Sequence, residues 1–484
     1  MKYLFQSIII LCCSLMLSCS NFLDIKPVHS MMPKSLDDFE AVLLGGYPRT
    51  DFFFRTEMLT DNVYVNFNSD SQPSQDNERW FTFSSSLVAP GTLTDPIWGR
   101  LYKSIFYANS VLDFLKTYDT APEQQQQYEQ IRGEALALRA FCYFYLINFY
   151  ADVYSEENLN LPGVPMPLTA EDINENANNN KREPIGLVWQ QIIKDVEEAS
   201  TLLSDKRITD RYRFSFQILQ LFRARIDLMM ENYDSASVFA NKVIENYPLA
   251  DLSGLEERMQ KNEGIKATLG YNFGFVDTQL NRELMFFTGG KGNSNLFSYT
   301  TGAMKPVEDL LILTKRYGEL TDYRQFVYDS FEDNPVESLK TGKTVYKMYA
   351  NQDLLWYFVG FKASEAYLIY AEAQVRLGNA EPALATINKI LASRMRKDHV
   401  IQLKAADFKN NAEILNRVLE ERRLELAFDG GLRFMDLRRF GKPKIEHIYK
   451  DAQVFTLEEG DPRYLMQIPP SEIENSPDMP LNPR

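Results

Sequence analysis

Cys19 is the residue whose surroundings point most directly to a chemical modification. One basic residue, Lys2, precedes fourteen mostly apolar residues, Leu4–Leu17, and Ser18 places a small side chain directly before the cysteine. This order is typical of a bacterial lipoprotein signal, which is cut before the cysteine so that the chain can be acylated there. As a helix the run would span about 21 Å, too short for a hydrocarbon core of about 30 Å, so a transmembrane anchor is the weaker interpretation. We predict that residues 1–18 are a removed signal, that Cys19 carries palmitate or a similar acyl chain, and that residues 19–33 form a lipidated tether.

The remaining residues with reactive side chains do not form a recognisable catalytic or metal-binding motif. Gly289–Asn293 lacks the Gly-Lys-Ser/Thr ending of a phosphate-binding loop, and no Gly-x-Ser-x-Gly nucleophile elbow occurs. The three histidines, His29, His399 and His447, are too far apart to show metal-ligand spacing. A glycosidase would need two carboxylates about 5–10 Å apart, and nothing marks such a pair among the 66 acidic residues. We therefore predict no catalytic residue, no metal ion and no cofactor.

Composition places the chain among globular proteins and argues against nucleic-acid binding. Without residues 1–18 the chain has 466 residues, enough for one large domain or two closely packed ones. Lys2 is one of the 52 basic residues, so 51 basic residues remain against 66 acidic ones, a net charge of about −15. A nucleic-acid-binding protein would show a basic stripe instead. After removal of the signal and lipidation of Cys19, only Cys142 is left, among aromatic residues, which predicts a buried small hydrophobe.

Helical periodicity predicts the scaffold that must position any site. Trp98–Leu115 and Glu129–Tyr150 repeat apolar residues at spacings of three and four, which predicts two long core helices. Phe222–Glu245 and Ile369–Ala392 match at an offset of 147 residues, with a turn and alanines at corresponding places. This pattern favours tetratricopeptide-type helical hairpins over chance alanine matches. We expect such helices at about 98–250 and 356–440, separated by a long irregular insertion at about 252–347 that is a second candidate for a binding surface.

The C-terminal third carries a specific resemblance. The segment 419–439, LEERRLELAFDGGLRFMDLRR, resembles the signature of the SusD-like (RagB/SusD) family of Bacteroidetes outer-membrane lipoproteins. Further matches, in the family's order, are Asn21–Asp24, Trp98 with Leu101-Tyr102 and Ala108-Asn109, Ala137–Phe141, Glu365–Ala373 and Ile468–Ile473. Departures are small: Asp429-Gly430-Gly431 replaces the commoner Glu-Gly, and the chain ends without the usual Gly-Tyr. The resemblance implies one SusD-like domain over residues 34–484, mainly α, with tetratricopeptide-like hairpins, a loop-rich insertion and few short strands.

Within the signature segment, charges of both signs alternate at spacings that allow ion pairs, and apolar residues lie between them. The charged residues are Arg422, Glu425, Asp429, Arg433, Asp436 and Arg438. This pattern predicts a scaffold role for the segment rather than a binding role.

The resemblance implies a lipid-anchored protein on the outer face of the outer membrane that binds oligosaccharide or polysaccharide and delivers it to a SusC-like TonB-dependent transporter. A peptide ligand for the same architecture is the main alternative, and an envelope hydrolase or a structural adaptor is less favoured.

The polar, aromatic-rich residues 60–97 contain the candidate ligand contacts. These are Asp61, Asn62, Tyr64, Arg79, Trp80 and Phe81. Aromatic rings can cover the apolar faces of a sugar, and carboxylate, amide or guanidinium groups can bind its hydroxyls. The alternative is that Tyr64 and Trp80 are packing residues, and the sequence leaves both possibilities open.

Overall fold

The computed structural model of the protein describes residues 33–48, 53–65, 75–89, 91–92, 95–175, 181–203, 210–253, 283–288, 304–306, 308–318, 321–325 and 360–484. The predicted signal, Cys19 and all but the last residue of the predicted tether lie outside the described residues. So do Gly289–Asn293 and most of the predicted insertion.

The described residues form a mainly helical fold with few short strands, as predicted. The first half of the chain contributes α1 (Leu36–Gly46), α2 (Gln75–Phe81), α3 (Pro96–Lys116), α4 (Gln125–Tyr150), α5 (Ala170–Glu175), α6 (Ile185–Leu202), α7 (Phe216–Met229) and α8 (Tyr233–Asn246). The second half contributes α9 (Glu308–Thr314), α10 (Ala363–Arg376), α11 (Ala380–Arg394), α12 (Asn411–Leu426), α13 (Leu432–Arg439) and α14 (Pro470–Asn475).

Helix α4 is the centre of the core. Every residue from Gly133 to Tyr150 is buried, because α3 and α6 pack against it along its length. Arg139 of α4 and Asp195 of α6 form a buried ion pair at 2.8 Å. Cys142 is buried inside α4, and burial raises the pKa of its thiol, so it is a core residue as predicted.

The two predicted helical hairpins are confirmed. Helices α7 and α8 correspond to α10 and α11, since Phe216 and Tyr233 at their starts lie 147 positions before Ala363 and Ala380. The turns match as well, because the second residue after the first helix of each hairpin has a left-handed backbone: Glu231 with φ 59° in one and Gly378 with φ 86° in the other. The hairpins pack on each other through α8 and α10. This is tetratricopeptide-type stacking of helix pairs.

The strands of the described residues form three two-stranded antiparallel sheets. The pairs are β1 (Val63–Val65) with β3 (Met304–Pro306), β2 (Leu284–Phe287) with β4 (Gly360–Lys362), and β5 (Ile445–Ile448) with β6 (Val454–Leu457). In the first pair Tyr64 faces Lys305 in register, so the segment before α2 is joined to a strand of the insertion. The third pair is a hairpin near the C-terminus.

The segment 419–439 lies in the core as a network of buried ion pairs. Arg422 of α12 bonds to Asp436 of α13 at 2.8 Å, and Arg439 bonds to Glu372 of α10 at 2.5 and 2.7 Å. Glu425 accepts from Arg394 of α11 at 2.8 Å. These contacts tie α12 and α13 to the second hairpin, which confirms the predicted scaffold role of the segment.

Candidate functional site

The six predicted ligand contacts lie on two segments that the structure brings to the same C-terminal hairpin. Asp61, Asn62 and Tyr64 lead into and form β1, and Arg79, Trp80 and Phe81 end α2. His447 of β5 connects the segments, because its Nδ1 lies 2.7 Å from the Phe81 carbonyl oxygen and its Nε2 lies 2.8 Å from the Thr60 carbonyl oxygen.

The imidazole of His447 is enclosed on both faces. The Phe81 ring is stacked on it with a centroid distance of 4.2 Å, and the Phe83 ring is stacked at 4.4 Å. Burial lowers the pKa of His447, and the hydrogen bonds to the two carbonyl oxygens act in the opposite direction. His447 is therefore a packing residue that fixes both segments.

Three of the predicted ligand contacts are corrected by this arrangement. Trp80 is only 2% exposed and Phe81 is fully buried, because the end of α2 fills the space beside the C-terminal hairpin. Asn62 is also fully buried, where its side chain donates to Glu57 at 3.2 Å. For Trp80 and Phe81 the packing alternative is the one that the structure supports.

Tyr64 and Asp61 remain accessible. Along β1, Val63 and Val65 point into the core, whereas Tyr64 points outward and is 39% exposed. The side chain of Asp61 is 31% exposed. We call the exposed side of residues 61–64 the Asp61–Tyr64 surface. Arg79 is half-buried on the neighbouring segment.

Two arginines of the segment 419–439 hold Asp61 in place. Arg433 donates to both carboxylate oxygens of Asp61, at 2.8 and 2.7 Å. Arg423 donates to the Asp61 carbonyl at 2.6 Å and to the Asn62 side-chain oxygen at 3.0 Å. Burial raises the pKa of the Asp61 carboxyl, but the hydrogen bonds and positive charges of the arginines outweigh it, so the pKa lies below its ordinary value. The surface therefore presents an ionised carboxylate at neutral pH.

Glu57 lies beneath this surface in the 3₁₀-helix Phe53–Leu59. Burial raises its pKa to about 7. Its Oε1 has no hydrogen-bond partner among the described residues. A buried carboxyl of this kind titrates near neutral pH and is coupled to the surface through Asn62.

Arg423, Arg433 and His447 contact this region although the sequence assigns none of them to it. Arg433 and Asp61 are 372 positions apart, and His447 and Phe81 are 366 positions apart. Nothing in local spacing or composition signals contacts across such separations. The alternating charge of the segment 419–439 predicted that its arginines form ion pairs, but it did not predict which carboxylates they contact.

The chemistry offered by the Asp61–Tyr64 surface is that of binding. An exposed ring close in sequence to an ionised carboxylate can contact the apolar face and the hydroxyls of a sugar. Within the ranges that the structure describes, no three His, Cys, Asp or Glu side chains are grouped as metal ligands. Across the same ranges, none of the helices combines the length and the apolar character needed to cross a membrane.

Comparison with known proteins finds relatives along most of the chain. A family model described as "Starch-binding associating with outer membrane" matches residues 21–226, and the model of the "SusD family" matches residues 356–484. The SusD-like protein P38 of Formosa agariphila is 24% identical over an alignment of 476 residues, gaps included, and the match covers 88% of each chain.

Solved structures share the fold. A SusD superfamily protein of Bacteroides thetaiotaomicron has a TM-score of 0.71 at 20% identity, covering 93% of this chain and all of that one. A putative sugar binding protein of Bacteroides vulgatus has a TM-score of 0.72 at 20% identity, with 94% and 99% covered. A SusD-like carbohydrate binding protein of the same species has a TM-score of 0.68 at 19% identity, with 92% and 98% covered. At these identities the likeness establishes the architecture.

Proposed function

Since the chain belongs to the SusD-like family, we propose that it is an outer-membrane lipoprotein that binds a glycan and delivers it to a SusC-like TonB-dependent transporter. The observation that carries this proposal is the pair of family matches at residues 21–226 and 356–484. The first match ends within α7 of the first hairpin. The second match contains the whole second hairpin and the segment 419–439. The description of the first model names starch binding and association with the outer membrane.

A single SusD-like domain over residues 34–484 would stand on the tether 19–33. Several acyl chains at Cys19, each contributing about 0.8 kcal/mol per buried methylene, would hold it on the membrane. We place the domain on the exterior, where a polymer too large for the outer membrane would be met first. The transporter then takes over the ligand from a protein that remains anchored beside it.

The Asp61–Tyr64 surface supports a glycan as the ligand. Tyr64 offers an exposed ring and Asp61 an ionised carboxylate. Two of the structural neighbours are described as sugar- or carbohydrate-binding proteins. Arg79 is a further proposed contact. We propose that the surface binds the glycan without catalysing a reaction. A single weak site would gain avidity from repeated contacts along a polymer.

Ligand binding is tested with the lipid-free chain starting at Ser20. Affinity gels and calorimetry against neutral glycans, acidic glycans and peptides should show retention by at least one glycan without release of shorter products. Retention by peptides alone would replace the glycan with a peptide ligand. Release of shorter products would show a hydrolase. If the protein binds none of these ligands but still binds a membrane partner, an adaptor role would be favoured.

The anchor is tested with Cys19→Ala in the full-length chain. The variant should lose palmitate labelling and leave the membrane fraction. Cys12→Ala is the matched control, because Cys12 lies in the predicted signal and should not affect labelling. Sedimentation of Cys19→Ala with outer membranes would contradict the lipid assignment. From native membranes the wild-type protein should co-purify with a TonB-dependent transporter, and its purification alone would contradict the delivery role.

A further inference from the structure

We propose that Arg423 and Arg433 are positioning residues that hold the Asp61–Tyr64 surface in its ligand-binding conformation. This inference rests on the proposed function, in which that surface contacts the glycan. It gives the segment 419–439 a part in binding although its arginines are not themselves ligand contacts.

Together the two arginines contact both the side chain and the backbone of Asp61, and Arg423 Nη2 also lies 3.3 Å from a carboxylate oxygen of Asp61. Arg433 holds the Asp61 carboxylate through two parallel hydrogen bonds at 2.8 and 2.7 Å. Arg423 holds the backbone of the same residue at 2.6 Å and the Asn62 side chain at 3.0 Å. A two-pronged guanidinium contact fixes orientation as well as distance. Together the arginines fix the direction of the chain where it enters β1.

The arginines are themselves held rigidly. Arg423 lies in α12 and Arg433 in the first turn of α13, and the turn between these helices contains Gly431 in a left-handed conformation with φ 76°. A Cβ at Gly431 would lie 2.9 Å from Phe149 Cζ and 3.0 Å from Thr56 Oγ1. The turn is thus pressed between α4 and the 3₁₀-helix Phe53–Leu59. Through this turn and the two arginines, the position of the Asp61–Tyr64 surface is fixed relative to α4.

The exposed fractions of the side chains distinguish the positioning arginines from the proposed ligand contacts. The side chains of Arg423 and Arg433 are only 14% and 12% exposed, whereas that of Asp61 is 31% exposed. A ligand would reach Asp61 and Tyr64 before either guanidinium. The arginines would act on affinity through Asp61, because a segment already ordered loses less conformational freedom on binding.

The preceding residue is held independently, which makes the inference testable. His447 contacts the Thr60 carbonyl from the C-terminal hairpin, and Val63 and Val65 are buried. Replacing one arginine should therefore loosen residues 61–64 without unfolding the segment.

The experiment combines hydrogen–deuterium exchange with glycan affinity in Arg433→Gln, Asp61→Asn and the double variant. In the free protein, amides of residues 61–65 should exchange at least tenfold faster in Arg433→Gln than in wild type, while those of α4 stay unchanged. Arg316→Gln is the matched control, because Arg316 pairs with Glu420 of α12 at an exposed position and should leave residues 61–65 unchanged. Unchanged exchange at residues 61–65 in Arg433→Gln would overturn the proposal.

Affinity separates positioning from direct contact. With soluble starch as the first probe, followed by any glycan of the panel that retains the wild-type protein, Arg433→Gln should bind at least tenfold more weakly at a temperature where the variant is still folded. The double variant should bind no more weakly than Asp61→Asn alone, since Arg433 acts through Asp61. Additive losses would make Arg433 a direct contact and overturn its positioning role. If wild type binds no glycan, the proposed function fails, and the exchange measurement still decides whether the arginines hold the segment.

Discussion

The segment 419–439 and the residues 60–83 both mix charged and aromatic side chains, yet the fold uses them differently. In the first, the charges are buried against one another, as in Arg422 with Asp436. In the second, the aromatic side chains Trp80 and Phe81 are buried, and Tyr64 and Asp61 keep an exposed side. The segment that reveals the family thus builds the scaffold, and its Arg423 and Arg433 also contact Asp61 of the other segment.

This comparison shows that the composition of a segment does not reveal which of its side chains reach the solvent. Burial of a charge is tolerated only where a partner of opposite sign and hydrogen bonds compensate for desolvation. Such partners come from distant parts of the chain, as Glu372 does for Arg439. A ligand contact has to be sought among the side chains that stay exposed.

Loss of a buried ion pair in the segment 419–439 should have the largest effect. Arg439→Ala leaves Glu372 and Asp436 buried with one cation fewer, so we expect the free energy of unfolding to fall by about 3–5 kcal/mol. Urea unfolding measures this. The control is Lys409→Ala in an exposed pair with Glu413 at 3.5 Å, which should cost less than about 1 kcal/mol. Similar losses in both variants would show that burial does not distinguish the pairs.

Trp80→Ala should have a comparable effect, which separates a core residue from a ligand platform. A buried tryptophan replaced by alanine costs about 3–5 kcal/mol. Trp80→Phe should cost less, because the buried indole nitrogen has no hydrogen-bond partner within the described part of the chain. Chemical denaturation of both variants tests this. Unchanged stability of Trp80→Ala together with lost glycan retention would restore Trp80 as a ligand contact.

Much of the scaffold could be predicted because its signals are local. Apolar spacing located α3 and α4, and the 147-residue offset located the two hairpins, since a helix and its turn are encoded within about 35 residues. The solitary Cys142 among aromatic residues was likewise recognised as core.

The candidate site was less predictable because its contacts are not local. Trp80 and Phe81 looked like a platform in a polar segment, but Phe81 stacks on His447, which lies 366 positions later. Asp61 was found by composition, whereas its arginine partner Arg433 lies 372 positions away. A single sequence contains no pattern that signals a contact between two residues so far apart in the chain. Of the predicted contacts, Asp61 and Tyr64 are therefore accessible, whereas Trp80, the largest aromatic residue among them, is buried.

Glu57, between the two regions, should make stability depend on pH. Its pKa in the folded protein is raised from 4.5 to about 7, so the folded state binds a proton more tightly than the unfolded state. The stability that this proton contributes is fully present below pH 4.5 and is lost as the pH rises through 7. Relative to Glu57→Gln, wild type should lose up to about 3 kcal/mol between pH 4.5 and 8, as measured by urea unfolding. Parallel pH profiles of the two proteins would mean that Glu57 is ionised in the folded state.

Tyr64→Ala should have the smallest effect on stability and a specific effect on binding. Its ring is exposed on the outer side of β1, so we expect the free energy of unfolding to change by less than about 1 kcal/mol. Loss of an aromatic contact worth about 0.5–1.5 kcal/mol should weaken glycan binding by about 2- to 10-fold, measured by calorimetry. Tyr212→Ala is the matched control, since Tyr212 is also exposed but packs against Phe287 of β2 at a ring distance of 6.0 Å. Equal affinity losses would indicate a general effect of surface tyrosines. Unchanged affinity in Tyr64→Ala would remove Tyr64 as a glycan contact, and the insertion at about 252–347 would then be the next region to test.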